Sequence, residues 1–252
     1  MKEKELKNKL LQEELKSFQG WDFSHLQGRW KGELQPWDYK EILLPYLKVD
    51  CELLDMGTGG GEFLLTLNHP YHKTSVTEGY LPNVELCKMT LEPLGITVKQ
   101  ILEEDQIPYP DHFFDIILNR HESFEAKEVS RVLKTGGYFI TQQIGKKNMS
   151  ELGRSLIDGF NPDSFGWMLS EAVEELTNSG FEIVMEKESF TPIYFYDLGA
   201  FVYYAKIIEW EFPGFNVEKH FSKLLELQKE LEQNGFLVGE EHRYLIVAKK
   251  VQ

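Results

Sequence analysis

The segment Leu53-Leu54-Asp55-Met56-Gly57-Thr58-Gly59-Gly60-Gly61-Glu62 runs from an apolar strand pattern into glycines and then into a helix pattern. A turn of this kind, at the carboxyl edge of the first strand of a doubly wound sheet, is where such sheets bind ligands. Its glycines follow G-x-G-x-G, and Glu62 stands where the dinucleotide fingerprint G-x-G-x-x-G needs glycine or alanine. Asp55, two residues before the first glycine, would repel a pyrophosphate seated on the helix N-terminus and would welcome a cation. No Lys follows the glycines, so the Walker phosphate loop is absent too. The chemistry offered is recognition of a small, positively charged ligand.

An alternation of short elements must hold this turn. Leu53-Leu54, Thr74 to Thr77, Thr97 to Ile101, Phe114 to Leu118 and Tyr138 to Thr141 read as strands. Helix patterns run between them: through Phe63-Leu64-Leu65, from Pro82 with Val84, Cys87 and Leu91 inward, and over about 125–133. Pro82 suits a first helical turn, where its missing N–H has no partner to lose. Near-continuously apolar strands alternating with helices mean βαβ units and a mainly parallel sheet covered on both faces. The pair Gly136-Gly137 suits a left-handed helix cap. Ser170 to Ser179 reads as a further helix closed by Gly180, Phe181 to Met185 as a strand and Tyr244 to Val247 as the last one. An N-terminal amphipathic helix over about 2–18 precedes a Trp-rich irregular stretch with Trp21, Trp30 and Trp37. Residues 191–235 break the alternation with an aromatic run and a second amphipathic helix. The chain is expected to be one domain, 1–252, with an N-terminal helix and aromatic cover at 1–40, a core at 41–190 and a helical insertion at 191–235.

A ligand with an adenosine, a positive centre and an amino-acid end fits the glycine turn, and over roughly residues 50–145 the chain resembles the class I S-adenosylmethionine-dependent methyltransferases, of the type 11 kind. Asp55 and the glycines resemble motif I. Glu78 matches the acid that takes the ribose hydroxyls, and Glu103 to Asp111, with Pro108-Tyr109-Pro110-Asp111, resembles the stretch whose first acid holds the adenine amino group. Phe114-Asp115 and Arg131 to Gly137 resemble the signatures of the fourth and fifth strands. Glu103 stands for the more usual Asp, and Glu104 for a small residue. The resemblance implies a doubly wound, Rossmann-like, mainly parallel seven-stranded α/β sheet with helices on both faces and an antiparallel last strand. It implies S-adenosyl-L-methionine as cofactor, held by Asp55, Met56, Gly57, Thr58, Gly59, Gly61, Glu78, Gly79, Glu103, Glu104 and Asn119. It also implies an in-line displacement at the sulfonium methyl, in which the enzyme chiefly positions and desolvates. On the acceptor side, His121 is the candidate general base, because its ordinary pKa lies near neutrality. Arg120, Trp37 and Tyr194 are candidate substrate contacts.

Composition narrows the partners. With 27 Lys+Arg against 41 Asp+Glu the net charge is −14, and no Lys/Arg run forms a phosphate-binding stripe. A small-molecule acceptor is therefore expected ahead of RNA or protein, and a non-catalytic cofactor-binding module or a nucleotide-dependent oxidoreductase are the rivals. Two cysteines without CxxC spacing exclude a disulfide scaffold, and His69 and His72 lack further ligands, so no metal is expected. No stretch approaches the roughly 18 apolar residues of a membrane span, and no signal-peptide core is present; a cytoplasmic protein is expected. The two amphipathic helices could form a lid or a homodimer face.

Overall fold

The computed structural model describes residues 3–18, 22–102, 106–164 and 166–252. In chain order the helices are α1 (Glu3–Glu14), α2 (Tyr39–Leu43), α3 (Glu62–Leu65), α4 (Leu81–Thr90), α5 (Ala126–Val132), α6 (Ser150–Leu156), α7 (Leu169–Asn178), α8 (Leu198–Ile207) and α9 (Val217–Asn234). The strands are β1 (Trp30–Gly32), β2 (Leu53–Met56), β3 (Thr74–Glu78), β4 (Thr97–Gln100), β5 (Phe114–Arg120), β6 (Leu133–Ile144), β7 (Phe181–Phe195) and β8 (Leu237–Lys250). These residues group into two compact units. The first holds Met1–Gln35, Gly145–Trp167 and Ser189–His242, and the second holds Pro36–Ile144, Met168–Glu188 and Arg243–Gln252.

The second unit is the expected α/β sheet, ordered β7-β8-β6-β5-β2-β3-β4. β5, β2, β3 and β4 run parallel, β6 is parallel to β5, and β8 is antiparallel to β6. Successive residues of one strand enter opposite cores. Leu54, Met56 and Ile117 pack with Val129, Val132, Ala172 and Leu176 of α5 and α7. Leu53, Ile116 and Leu118 pack with Leu43, Leu64, Cys87 and Leu91 on the other side. Period-two alternation between two helix layers is what makes the strands read as unbroken apolar runs.

In the first unit α1, α6, α8 and α9 share a core that includes Leu6, Leu10, Phe201, Phe212, Leu224 and Leu227. β1 pairs antiparallel with β7 there, Trp30 opposite Phe195 and Gly32 opposite Ile193, so the described residues form eight strands where seven are expected. Arg29 clamps the unit, donating to both oxygens of Asp197 over 2.8 and 2.6 Å and pairing with the buried Glu13.

Several expectations shift. The N-terminal helix stops at Glu14, well short of residue 18. α5 ends at Val132 because Leu133 is already extended (φ −83°, ψ 138°); Gly136-Gly137 lies inside β6, and the pair caps no helix. At Gly137 a side chain would meet Asp115 O at 2.8 Å, so close backbone approach explains that glycine. β7 and β8 run far beyond their apolar centres, and Tyr194 lies on β7, outside any helical insertion. The Trp-rich stretch supplies β1, while Trp21 lies outside the described residues.

Candidate active site

β2, β3 and β5 bring their carboxyl ends together in the second unit. Register sets Asp55 beside Val76 and Leu118, and Met56 beside Thr77 and Asn119. The turn after β2 alternates left-handed glycines: Gly57 and Gly59 at φ 63° and Gly61 at φ 83°. A side chain on Gly57 would strike Glu122, and one on Gly61 would strike Leu91, whereas a Cβ on Gly59 would meet no atom of the described residues within 4 Å. The turn is anchored from β3, with Gly57 N–H donating to Thr77 O over 2.9 Å.

Two carboxylates hold the turn. Glu78 is buried; its Oε2 accepts the Gly59 N–H at 2.8 Å, and its Oε1 accepts those of Gly79 and Tyr80 at 3.1 and 3.0 Å. A carboxylate has about four lone-pair sites, so roughly one is left for a ligand. Asp55, also buried, accepts from Thr58 Oγ1 at 2.7 Å. Burial pushes its pKa up to about 6, Glu78 adds to the rise, and the Thr58 bond and Arg120 oppose it.

Asn119 is fully buried, and its Oδ1 accepts from both Thr141 Oγ1 and Gln143 Nε2. That double grip orients the amide and leaves Asn119 Nδ2 as a buried donor without a partner among the described residues; Thr77 Oγ1 is another such orphan. Buried polar atoms left unpaired are what a bound ligand would satisfy. Open space over Gly59, two carboxylates and an orphaned amide fit a cationic nucleoside such as S-adenosylmethionine. Glu103 and Glu104, expected at the adenine, lie outside the described residues.

At the end of β5, the Arg120 guanidinium stacks 4.3 Å from the centre of the Phe63 ring. Among the described residues no carboxylate lies within ion-pair distance of it. His121 follows with φ 64°, its backbone N–H donating to Gln142 O over 2.8 Å. The packing of protein atoms around its ring pushes its pKa down to about 3, and the cations Arg243 and Arg120 add to this. At physiological pH the imidazole is therefore neutral.

Trp37 donates its indole N–H to Gln142 Oε1 at 2.8 Å. Its segment is held by Tyr39, whose hydroxyl donates to Ile140 O at 2.9 Å, and by the Asp38 cap of α2. Tyr194 belongs to the first unit, where it packs edge-on against Phe236. His69 is buried and bonded to Cys51 O, and the described residues contain no group of metal ligands.

Two features escaped the reading of the sequence. Gln142 carried no motif, and its only signal was a polar pair, Gln142-Gln143, ending an apolar strand. Arg131, part of the fifth-strand signature, does structural work: it donates to Glu128, Asp111 Oδ1, Tyr109 O and Ile107 O and so pins the Pro108–Asp111 turn to α5.

Residues 54–141 match a family model described as a methyltransferase domain. Among solved structures the chain is similar to the YcgJ protein of Bacillus subtilis, with 18% identity, 85% of this chain and 98% of that one covered, and a TM-score of 0.58. It is also similar to a SAM-dependent methyltransferase of Methanosarcina mazei (19% identity, 87% and 99% covered, TM-score 0.51). The cyclase SpnF is a third likeness (16% identity, 84% and 80% covered, TM-score 0.51). At such identities the likeness speaks for the fold alone. No curated protein matches the chain. Fold, glycine turn and matched segment together mark a Rossmann-like chain that carries a methyltransferase domain over residues 54–141. It is an enzyme whose cofactor is S-adenosylmethionine. No helix among the described residues is long and apolar enough to cross a membrane.

Proposed function

We propose that this enzyme, working as one methyltransferase domain, methylates a small-molecule acceptor. The observation that carries the cofactor side is that two buried carboxylates, Asp55 and Glu78, hold the glycine turn through the Thr58 hydroxyl and the Gly59 N–H. In this reading Glu78 takes a ribose hydroxyl on its remaining lone pair. Asp55 supplies negative charge to the cationic ligand, and Asn119 Nδ2 donates to it. Met56, Gly57, Thr58, Gly61 and Gly79 shape the backbone around it. The cofactor brings a methyl group already activated by its sulfonium charge. The chain's own work is then to hold donor and acceptor in line and to exclude water.

On the acceptor side the reading assigns Arg120, whose guanidinium has no carboxylate partner among the described residues, together with His121 and Trp37. An uncommitted guanidinium suits an acceptor bearing a carboxylate or phosphate. The net charge of −14 weighs against RNA. The similarity to a cyclase shows that this fold does not by itself dictate the reaction, so the test is direct transfer. Labelled methyl groups from S-adenosylmethionine should enter a metabolite extract and not a pool of tRNA and rRNA. Label in the RNA pool alone would overturn the small-molecule assignment.

A further inference from the structure

We propose that Gln142, pinned by Trp37, is a positioning residue that holds His121 as the neutral tautomer carrying its proton on Nδ1. The inference deepens the reading above, since it takes His121 as the acceptor-side group. It rests on a chain of three side chains, all in the second unit. An indole nitrogen can only donate, so the group facing Trp37 Nε1 at 2.8 Å must be the amide oxygen of Gln142. This settles which end of the amide is which, a choice that distance alone leaves open. The amide nitrogen then lies 3.1 Å from His121 Nε2. An amide nitrogen has no lone pair to offer, so Nε2 must be the acceptor and must be unprotonated. In a neutral ring the proton then sits on Nδ1. An imidazolium would set N–H against N–H.

Gln142 holds its neighbour twice, because its backbone oxygen also accepts the His121 N–H. The parallel pairing of Arg120 with Gln142 brings these residues side by side. The charged groups acting on the ring are Arg243 on β8 and Arg120 at the end of β5; both are cations and both favour the neutral form. The consequence for chemistry is specific. The lone-pair nitrogen of His121 is already engaged, so it can take an acceptor's proton only by breaking the Gln142 bond. Its free group is a donor, Nδ1–H, suited to binding an acceptor oxygen.

Nitrogen-15 spectra of the imidazoles in the full chain test this. The protein has seven histidines, and the signals lost in His121→Asn identify the ring in question. In the wild type, His121 Nε2 should show the shift of an unprotonated nitrogen and Nδ1 that of a protonated one. Gln142→Glu replaces the amide by a carboxylate that accepts from Trp37 and from the ring alike. The proton should then move to Nε2, and the proton affinity of His121 should rise about ten-fold or more. Trp37→Phe removes the pin without touching Gln142 and should give mixed tautomer signals. It serves as the second variant if Gln142→Glu fails to fold. Protonated Nε2 in the wild type, or unchanged His121 signals in a folded Gln142→Glu protein, would overturn the proposal. If the spectra are as expected while His121→Asn still transfers methyl at the wild-type rate, the tautomer assignment stands and His121 leaves the acceptor site.

Discussion

The backbone N–H of Gly59 donates to Glu78 Oε2 over 2.8 Å, so the tip of the glycine turn after β2 is held by the carboxylate that ends β3. Glu78 is therefore scaffold as well as the proposed ribose contact. Glu78→Ala should leave the amides of Gly59, Gly79 and Tyr80 without their acceptor, at about 1–3 kcal/mol for each that stays dry. Glu78→Gln should turn an NH2 toward one of these sites and disturb it alone. Thermal unfolding should show the larger loss for Ala, and calorimetry should show both variants binding S-adenosylmethionine at least about ten-fold more weakly, a difference of about 1.4 kcal/mol. Wild-type affinity in a folded Glu78→Gln protein would remove the ribose assignment.

Asp55 should make ligand binding and stability depend on pH. Its pKa in the folded protein is about 6, above the ordinary value of 3.8, chiefly because the carboxyl is buried. Between about pH 4 and 6 the unfolded chain ionises at this position while the folded one keeps its proton. The stability of the free protein therefore falls as pH rises through this window and levels off above it. Asp55→Asn should lack this term, so its advantage in urea unfolding should grow from pH 4.5 to 7.5, by at most about 3 kcal/mol. Affinity for the sulfonium cofactor should run the other way in the wild type, tightening as Asp55 ionises, and should stay flat in the variant. A flat wild-type profile would show that Asp55 does not face the positive charge.

Two glycines of the same turn should separate binding from stability. At Gly61 a side chain would meet Leu91 at 2.8 Å, and the backbone is left-handed, so Gly61→Ala should cost about 1–3 kcal/mol in denaturant unfolding. At Gly59 the backbone is left-handed too, yet the space above is open, so Gly59→Ala should lose only about 1 kcal/mol of stability. Its main effect should be on cofactor affinity, measured by calorimetry. Equal affinity losses in the two variants would argue that the opening over Gly59 is not the binding surface.

Arg131 joins the Pro108–Asp111 turn to α5 through Glu128, Asp111 and two backbone carbonyls. Arg131→Met keeps much of the stem and removes every one of these bonds, leaving the buried Glu128 carboxylate with the Ile107 N–H. A loss of about 2–3 kcal/mol is expected, with increased amide hydrogen exchange in residues 106–111. Unchanged exchange there would mean that the turn is held by packing alone.

Local physics made much of this protein readable in advance. Left-handed glycines at 57, 59 and 61, an acid ending β3, Pro82 in the first turn of α4 and apolar runs between helix patterns each follow from short-range backbone preference and periodicity. The glycine turn after β2 and the doubly wound order around it are thus legible. What the tertiary structure alone decided depends on register. The pinning of His121 joins residues 37, 121 and 142, which share no local pattern; it exists because β5 and β6 align Arg120 with Gln142 and because Tyr39 anchors the segment carrying Trp37. Likewise the Pro108–Asp111 turn and the Arg131 segment, two separate signatures along the chain, prove to be one hydrogen-bonded assembly. The length of β7 and β8 was set by pairing beyond their apolar centres. Periodicity reports which face of an element is buried, whereas the partner a polar side chain finds across a sheet is fixed only when the strands pair.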